Sequence, residues 1–216
     1  FSANLLTIYF FYEMLSVSTF PLVTHMQDKE ARTGGRTYLG YLLFTSLCIL
    51  LPALSCCYVW LDGGNVAMDF LADTGKVCNF SETTQIILLI LFTFGFAKAG
   101  IMPLHSWLPG AMVAPTPVSA LLHAVAVVKV GVFCVVRVYS DIFGTEVLLQ
   151  LDGEDWMIGL ACATILISSL IALSQDNLKR RLAFSTIGQL GYVILGATLA
   201  TQQGIGGSVL HIAMHA

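Results

Sequence analysis

The sequence predicts an all-α, polytopic transmembrane helix bundle with a discontinuous helix, and three observations carry that expectation. The first is composition. Of 216 residues, 56% are hydrophobic and 11% are charged, with a mean hydropathy of +0.81, whereas soluble domains carry about 25% charged residues. Ten Lys and Arg with thirteen Asp and Glu cannot cover the surface of a water-soluble fold of this length. The second is the recurrence of apolar runs near the ~20 residues that cross a ~30 Å hydrocarbon core, at 3–26, 37–60, 84–98, 116–140, 156–175 and 182–200, with a seventh starting at Gly206. The third is a cluster of helix breakers: the run that starts at Thr84 meets Gly95, Gly100, Pro103 and Pro109 before the next begins near Pro117. Proline removes a donor and clashes with the preceding turn, so this helix is expected to break. Irregular backbone is tolerated in lipid only against protein or a water-filled cavity, which places the break inside the bundle.

Turn residues separate the runs, at Thr33-Gly34-Gly35, Asp62-Gly63-Gly64 and Asp152-Gly153. Basic residues alternate between connections as the positive-inside rule requires. Lys29, Arg32 and Arg36 fall in the first connection and Lys179, Arg180 and Arg181 in the fifth, while the third, around Gly110 to Thr116, is uncharged. The second holds Lys76 beside Asp62, Asp69, Asp73 and Glu82, and the fourth holds only acids, with Arg137 near its start. The loops at 27–36 and 176–181 are therefore expected on the cytoplasmic side. Trp60, Trp107 and Trp156 lie near run ends, as an interfacial belt would place them.

The ionisable residues left inside predicted helices are Glu13, Lys98, His123, Lys129, His211 and His215. A Lys or Asp at a helix centre costs about 2.5–3.5 kcal/mol on insertion scales, and such residues usually mark an ion or proton pathway. Lys98 lies deep in its run beside the break, where snorkelling is hard, and Lys129 lies near the middle of its own run. Glu13 could hold a nearby Lys charged and release it on separation. His123 and Lys129 are six apart, about 240° net on an α-helix, so they are expected to form successive stations rather than one compact site. His211 and His215 share a helix face, a spacing that suits a metal pair or a two-step proton relay. Ile212 stands where a zincin helix carries Glu, and no third ligand accompanies the pair, which favours the relay. His105 sits within the break with Gly100, Pro103 and Pro109 and is read as structural, its ring satisfying a freed carbonyl.

Other chemistry is disfavoured. The formal charge of -3 and pI near 5.9 argue against a nucleic-acid partner. Six cysteines, Cys48, Cys56, Cys57, Cys78, Cys134 and Cys162, lack ligand spacing and read as small hydrophobes, with a Cys78 disulfide to Cys56 or Cys57 left open. No GxGxxG, P-loop, GxSxG elbow, iron–sulfur cluster or CxxCH motif is present. No cofactor, no metal and no redox site are expected in this chain, and charge movement remains.

Several stretches now become recognisable: Phe96 to Pro109 (FAKAGIMPLHSWLP), Ala114 to Ala124 (APTPVSALLHA), Lys129, Tyr12 to Ser16 (YEMLS) and Asp176 to Tyr192 (DNLKRRLAFSTIGQLGY). They resemble the antiporter-like membrane subunits shared by Mrp-type cation/proton antiporters, respiratory complex I and membrane-bound hydrogenases. The resemblance implies two inverted five-helix repeats, each with a discontinuous helix, around a hydrated polar axis. It places Glu13 at the family's key glutamate and Lys98 and Lys129 at its first-half lysines. His123 matches a histidine of the proton path, and His211 with His215 match a His-rich helix. The flavour of Met112 to Pro117 and His211 to Ala216 is closest to the D-type subunit of the Mrp antiporters.

The chain opens on Phe1 inside an apolar run and stops at Ala216, which reads as a fragment of about six helices plus the start of a seventh. Residues 1–216 are expected to form one proton-translocating antiporter-like transmembrane domain, with most of one half-channel and the start of the other. Two functions are expected from the resemblance: a subunit of a monovalent cation/proton antiporter, or a proton-pumping membrane subunit of an NADH-quinone oxidoreductase or hydrogenase. The partners implied are other membrane subunits, protons, Na+ or K+, and the lipid bilayer, in a bacterial inner membrane. A passive scaffold is the third reading, under which Lys98→Met would stabilise the protein and leave transport intact.

Overall fold

The computed structural model describes residues 3–61, 69–70, 75–151 and 154–215, and among them every regular element is a helix, with one isolated antiparallel bridge between Asn4 and Asp69. The expected turns at Asp62-Gly63-Gly64 and Asp152-Gly153 lie outside the described residues, as do Asp73, Phe1 and Ala216. Helix α1 spans Leu5–Val23, α2 Lys29–Trp60 with a π turn at Ser46–Leu50, and α3 Glu82–Gly95. After the break, α4 spans Thr116–Gln150, carrying π turns at Leu121–Val125 and Val138–Phe143 and bending at Gly144. Helices α5 (Glu154–Ser174), α6 (Leu178–Thr198) and α7 (Gln202–Met214) complete the order.

Helix starts follow side-chain capping of the free N-terminal amides. The Asn4 side chain accepts from Thr7 N at 2.8 Å, Asp28 from Ala31 N at 2.6 Å, Asn177 from Lys179 N at 3.0 Å and Thr201 from Gly204 N at 3.0 Å. The cap at Asp28 corrects the expected loop at 27–36. Helix α2 begins at Lys29 and runs through Thr33-Gly34-Gly35, because the Asp28 cap starts it and Gly34 is buried against Gly110 and Val113. Tertiary packing overrides the turn propensity of these residues.

Among the described residues four helices are long and apolar enough to cross a membrane: α1, α2, α4 and α5. Helix α3 is 14 residues long because it ends at the break. The outer surface is apolar, as lipid contact requires: Leu166, Leu170 and Leu173 form one exposed stripe on α5, and Phe10, Met14 and Val17 another on α1. Polar groups turn inward and bridge helices. Thr19 Oγ1 and Tyr38 Oη lie 2.6 Å apart, Thr93 Oγ1 and Tyr139 Oη 2.7 Å apart, and Ser208 Oγ donates to the Val193 carbonyl at 2.7 Å. All six cysteines are free thiols.

The odd-numbered connections share one end. Lys29, Glu30 and Thr37 from α2, Gly110 and Val113 from the break, and Arg180 from α6 line one open cleft. Lys179 Nζ donates to the Ala114 carbonyl at 3.0 Å. At the other end Phe70 N donates to Ala3 O at 2.8 Å, and the Arg137 guanidinium covers the Phe70 ring at 4.5 Å. Arg137 also pairs with Asp141 at 2.9 Å, so its charge is locally matched.

The break itself is a 3-10 turn, Ala97–Ala99, closed by Gly100 at φ 70°, a left-handed conformation that glycine adopts without a Cβ clash. Short helical turns at Trp107–Gly110 and Ala111–Val113 lead to α4. Trp107 departs from the expected interfacial belt. It is fully buried, packs edge-on against Tyr38 at 5.6 Å and donates Nε1–H to the freed Ala97 carbonyl at 3.0 Å. His105 lies against the Pro103 carbonyl and 6.0 Å from the Phe184 ring.

Helix α4 reaches the break through Gly131. A Cβ there would lie 2.3 Å from Ala99 N and from the Lys98 carbonyl carbon. Although alanine favours a helix interior by about 1 kcal/mol over glycine, Gly131→Ala is expected to destabilise the full-length protein by about 1–3 kcal/mol through overpacking. Gly159→Ala, with nothing within 4 Å, is expected to be neutral or stabilising. Thermal melting of the two variants in detergent compares them, and equal melting temperatures would refute the contact.

Candidate functional site

Lys98 is the centre of the site. The break withdraws it from any helix surface, and its side chain is fully buried. A buried ammonium needs compensating acceptors, and α1 supplies them through Tyr12. Lys98 Nζ donates to the Tyr12 backbone carbonyl and lies 3.4 Å from the centroid of the Tyr12 ring, whose face attracts cations. The Lys98 backbone N–H donates to Tyr12 Oη at 3.2 Å. Tyr12 thus holds both ends of one residue, and Phe96 packs edge-on against its ring at 5.4 Å.

Glu13 follows Tyr12 in α1 but forms no ion pair with Lys98. It is half-buried, and its Oε1 is enclosed without a hydrogen-bond partner. It lies close enough to interact electrostatically with Lys98. The carboxylate and the ammonium are therefore neighbours held apart.

A second cluster forms where α4, α6 and α7 meet. Lys129 is 8% exposed on α4. His215 is within electrostatic reach of Lys129 and His211, and of His123. His123 Nε2 faces Met112 Sδ at 2.6 Å, while its Nδ1 is buried without a partner. The rings of His211 and His215 stack 6.2 Å apart with 15° between planes, and His211 Nε2 meets Gln189 Oε1 at 2.9 Å.

His123 lies in a π turn in which Ala126 N donates to Leu121 O at 3.0 Å, so the angle to Lys129 derived for a regular α-helix does not apply. Both residues lie within electrostatic reach of His215. The Lys98 and Lys129 clusters join mechanically at Gly131, where α4 lies directly on the break. Among the described residues no group of three or more His, Cys, Asp or Glu is arranged to hold a metal ion.

Sequence reasoning gives no role in the site to Tyr12, Met112 or Gln189, and it places Trp107 at the membrane surface. Gln189 has a visible signal, an amide within the apolar stretch of α6, but a count of ionisable groups does not include it. The Tyr12 carbonyl carries no signal, since every residue has one.

Comparisons with known proteins agree with this arrangement. The family model described as NADH:quinone oxidoreductase/Mrp antiporter, TM, matches residues 2–216. The chain is 32% identical over 223 residues to the probable K(+)/H(+) antiporter A/B subunit of Rhizobium meliloti (strain 1021), covering all of this chain and 21% of that protein. It is 33% identical over 225 residues to the chloroplastic NAD(P)H-quinone oxidoreductase subunit 5 of Chaetosphaeridium globosum, covering all of this chain and 31% of that one. The structure of the Mrp complex from Dietzia sp. DQ12-45-1b superposes with a TM-score of 0.85 at 25% identity, over 99% of this chain and 23% of that chain. The chain thus spans less than a third of the length of each of these relatives. The antiporter relative is named as an A/B subunit, not the D type closest by motif flavour. With its broken helix around a buried lysine and a match over nearly its whole length, the chain belongs to the NADH:quinone oxidoreductase/Mrp antiporter transmembrane family.

Proposed function

We propose that this chain provides a proton half-channel in a membrane complex that exchanges a monovalent cation for protons. The observation that carries the reading is Lys98: an amine fully buried at a helix break, held by a carbonyl and a ring rather than by a carboxylate. Structural ion pairs fix both charges in contact, whereas here the acid beside it has an enclosed oxygen with no partner. A proton bound by Lys98 makes an ammonium drawn to Glu13 or held on Tyr12, and its release leaves a neutral amine with no such pull. Lys129, His123, His211 and His215 supply groups that exchange protons beyond the break. Hydration between these stations is part of the proposal.

The antiporter reading is supported by the K(+)/H(+) name of the Rhizobium relative, and it implies neighbouring membrane subunits, K+ or Na+ as counter-ion, and a bacterial inner membrane. The second reading, a pump subunit of a quinone oxidoreductase, is supported by the chloroplastic subunit 5 relatives. Both use the same residues and differ in what drives them.

Everted vesicles containing the full-length protein with its neighbouring subunits separate the readings. After respiration acidifies the interior, added Na+ or K+ is expected to collapse the pH gradient with the wild type and not with Lys98→Met. NADH-driven acidification that needs Lys98, with no cation response, would favour the oxidoreductase. Cation-driven exchange and NADH-driven acidification that are both the same in Lys98→Met as in the wild type would overturn the role of Lys98 in either reading.

A milder change isolates the anchor of Lys98. Tyr12→Phe keeps the ring and the carbonyl but removes the acceptor of the Lys98 N–H. An unsatisfied buried donor costs about 1–3 kcal/mol, so amide hydrogen exchange at Lys98 and Ala99 is expected to accelerate while α1 keeps its protection. Unchanged exchange at Lys98 would count against the anchor.

A further inference from the structure

Helix α7 packs against α6 and α4 and carries His211 into a largely apolar contact. The groups around its ring can be named. From α6 come Gln189 at 2.9 Å and the Tyr192 ring at 6.0 Å. Its own helix adds His215, stacked at 6.2 Å, and His215 is in turn within reach of Lys129 on α4 and His123 in the π turn. Only Gln189 forms a hydrogen bond to His211 through a side chain among the described residues.

We infer that Gln189 is a positioning residue that fixes the tautomer of His211. The Gln189 amide meets Nε2 of the ring at 2.9 Å through Oε1, and an amide oxygen only accepts, so with the amide in this orientation Nε2 carries the hydrogen. The lone pair of neutral His211 is therefore on Nδ1. A proton arriving at His211 binds Nδ1, forms an imidazolium with both nitrogens protonated, and leaves again from Nδ1. Passage through the ring would need Nε2 to release its hydrogen and break the bond to Gln189. His211 is thus a station that takes and returns charge beside the stacked ring of His215, which lies within electrostatic reach of His123 and Lys129. The inference deepens the proton-path reading and rests on it for its functional consequence, whereas the tautomer can be measured directly.

The test is nitrogen-15 magnetic resonance on the full-length protein in its complex, labelled at histidine, in lipid bilayers at a pH where the rings are neutral. His211→Asn assigns the signal. The wild type is expected to show the Nε2–H form. Gln189→Glu keeps an acceptor at the same place and should keep that form. Gln189→Met keeps the length of the side chain and removes the acceptor, and should change the tautomer ratio by about fivefold to tenfold, the size of one net hydrogen bond. An Nδ1–H signal in the wild type, or the same ratio in the wild type and Gln189→Met, overturns the inference. Cation-driven exchange should fall by a similar factor in Gln189→Met and be restored in Gln189→Glu, which loss of packing alone would not produce. If Lys98→Met leaves exchange intact while the tautomer ratios change as expected, the function proposed above fails and the assignment to Gln189 stands.

Discussion

A charged amine removed from water must find electrons elsewhere, and the arrangement of Lys98 on Tyr12 organises much of this structure around that requirement. The carbonyl and ring of Tyr12 lie in α1, far from Lys98 in sequence, so α1 must run alongside the break. The break must in turn present Lys98 inward, which a continuous helix ending at Gly95 could not do without the 3-10 turn and Gly100. Trp107 then occupies the carbonyl of Ala97 that the break frees, and Gly131 lets α4 lie against the backbone of Lys98. Each of these residues answers a need created by the one before it, because hydrocarbon offers no water to satisfy a polar group left over.

Much of this is legible in the amino-acid order, for physical reasons that differ by element. The break is readable because glycine and proline act locally, on their own backbone and the turn before it. The buried lysines are readable because a charge in an apolar run has few explanations. The start of α2 is misread because Gly34 and Gly35 favour turns when taken alone, yet the Asp28 cap and the packing of Gly34 on Gly110 and Val113 and of Gly35 on Thr24 hold them in the helix. Trp107 is misread for a related reason: the end of an apolar run normally lies at the membrane surface, but the end of a run at an internal break lies in the core.

The wide turns of α2 and α4 leave no trace in the sequence pattern. Around Ser46–Leu50 and Leu121–Val125 the sequence is mostly apolar, so a shift of one residue in the helical period mostly moves one hydrophobe where another had been. The sequence pattern likewise hides the electrostatic proximity of His215 to His123 and Lys129, which the packing of α7 on α4 creates. Neutral partners are hidden too. Gln189 and the Tyr12 carbonyl complete the environments of charged or titrating groups, but a census of charge passes over both.

The bond from Lys179 to the Ala114 carbonyl gives one residue two duties that are usually assigned to different parts of a membrane protein. Its charge belongs to the set that decides which side of the bilayer the loops occupy during insertion, while its ammonium closes the backbone at the entrance to α4 once the chain has folded. Arg181 does the same for the Gln175 carbonyl, which leaves Arg180 facing the open cleft. Orientation in the membrane and closure of the loops are therefore written in the same basic triplet. Evolution cannot trade these charges for neutral residues to relax one constraint without also loosening the other, and a loop that has drifted in composition elsewhere would be expected to keep its cations here.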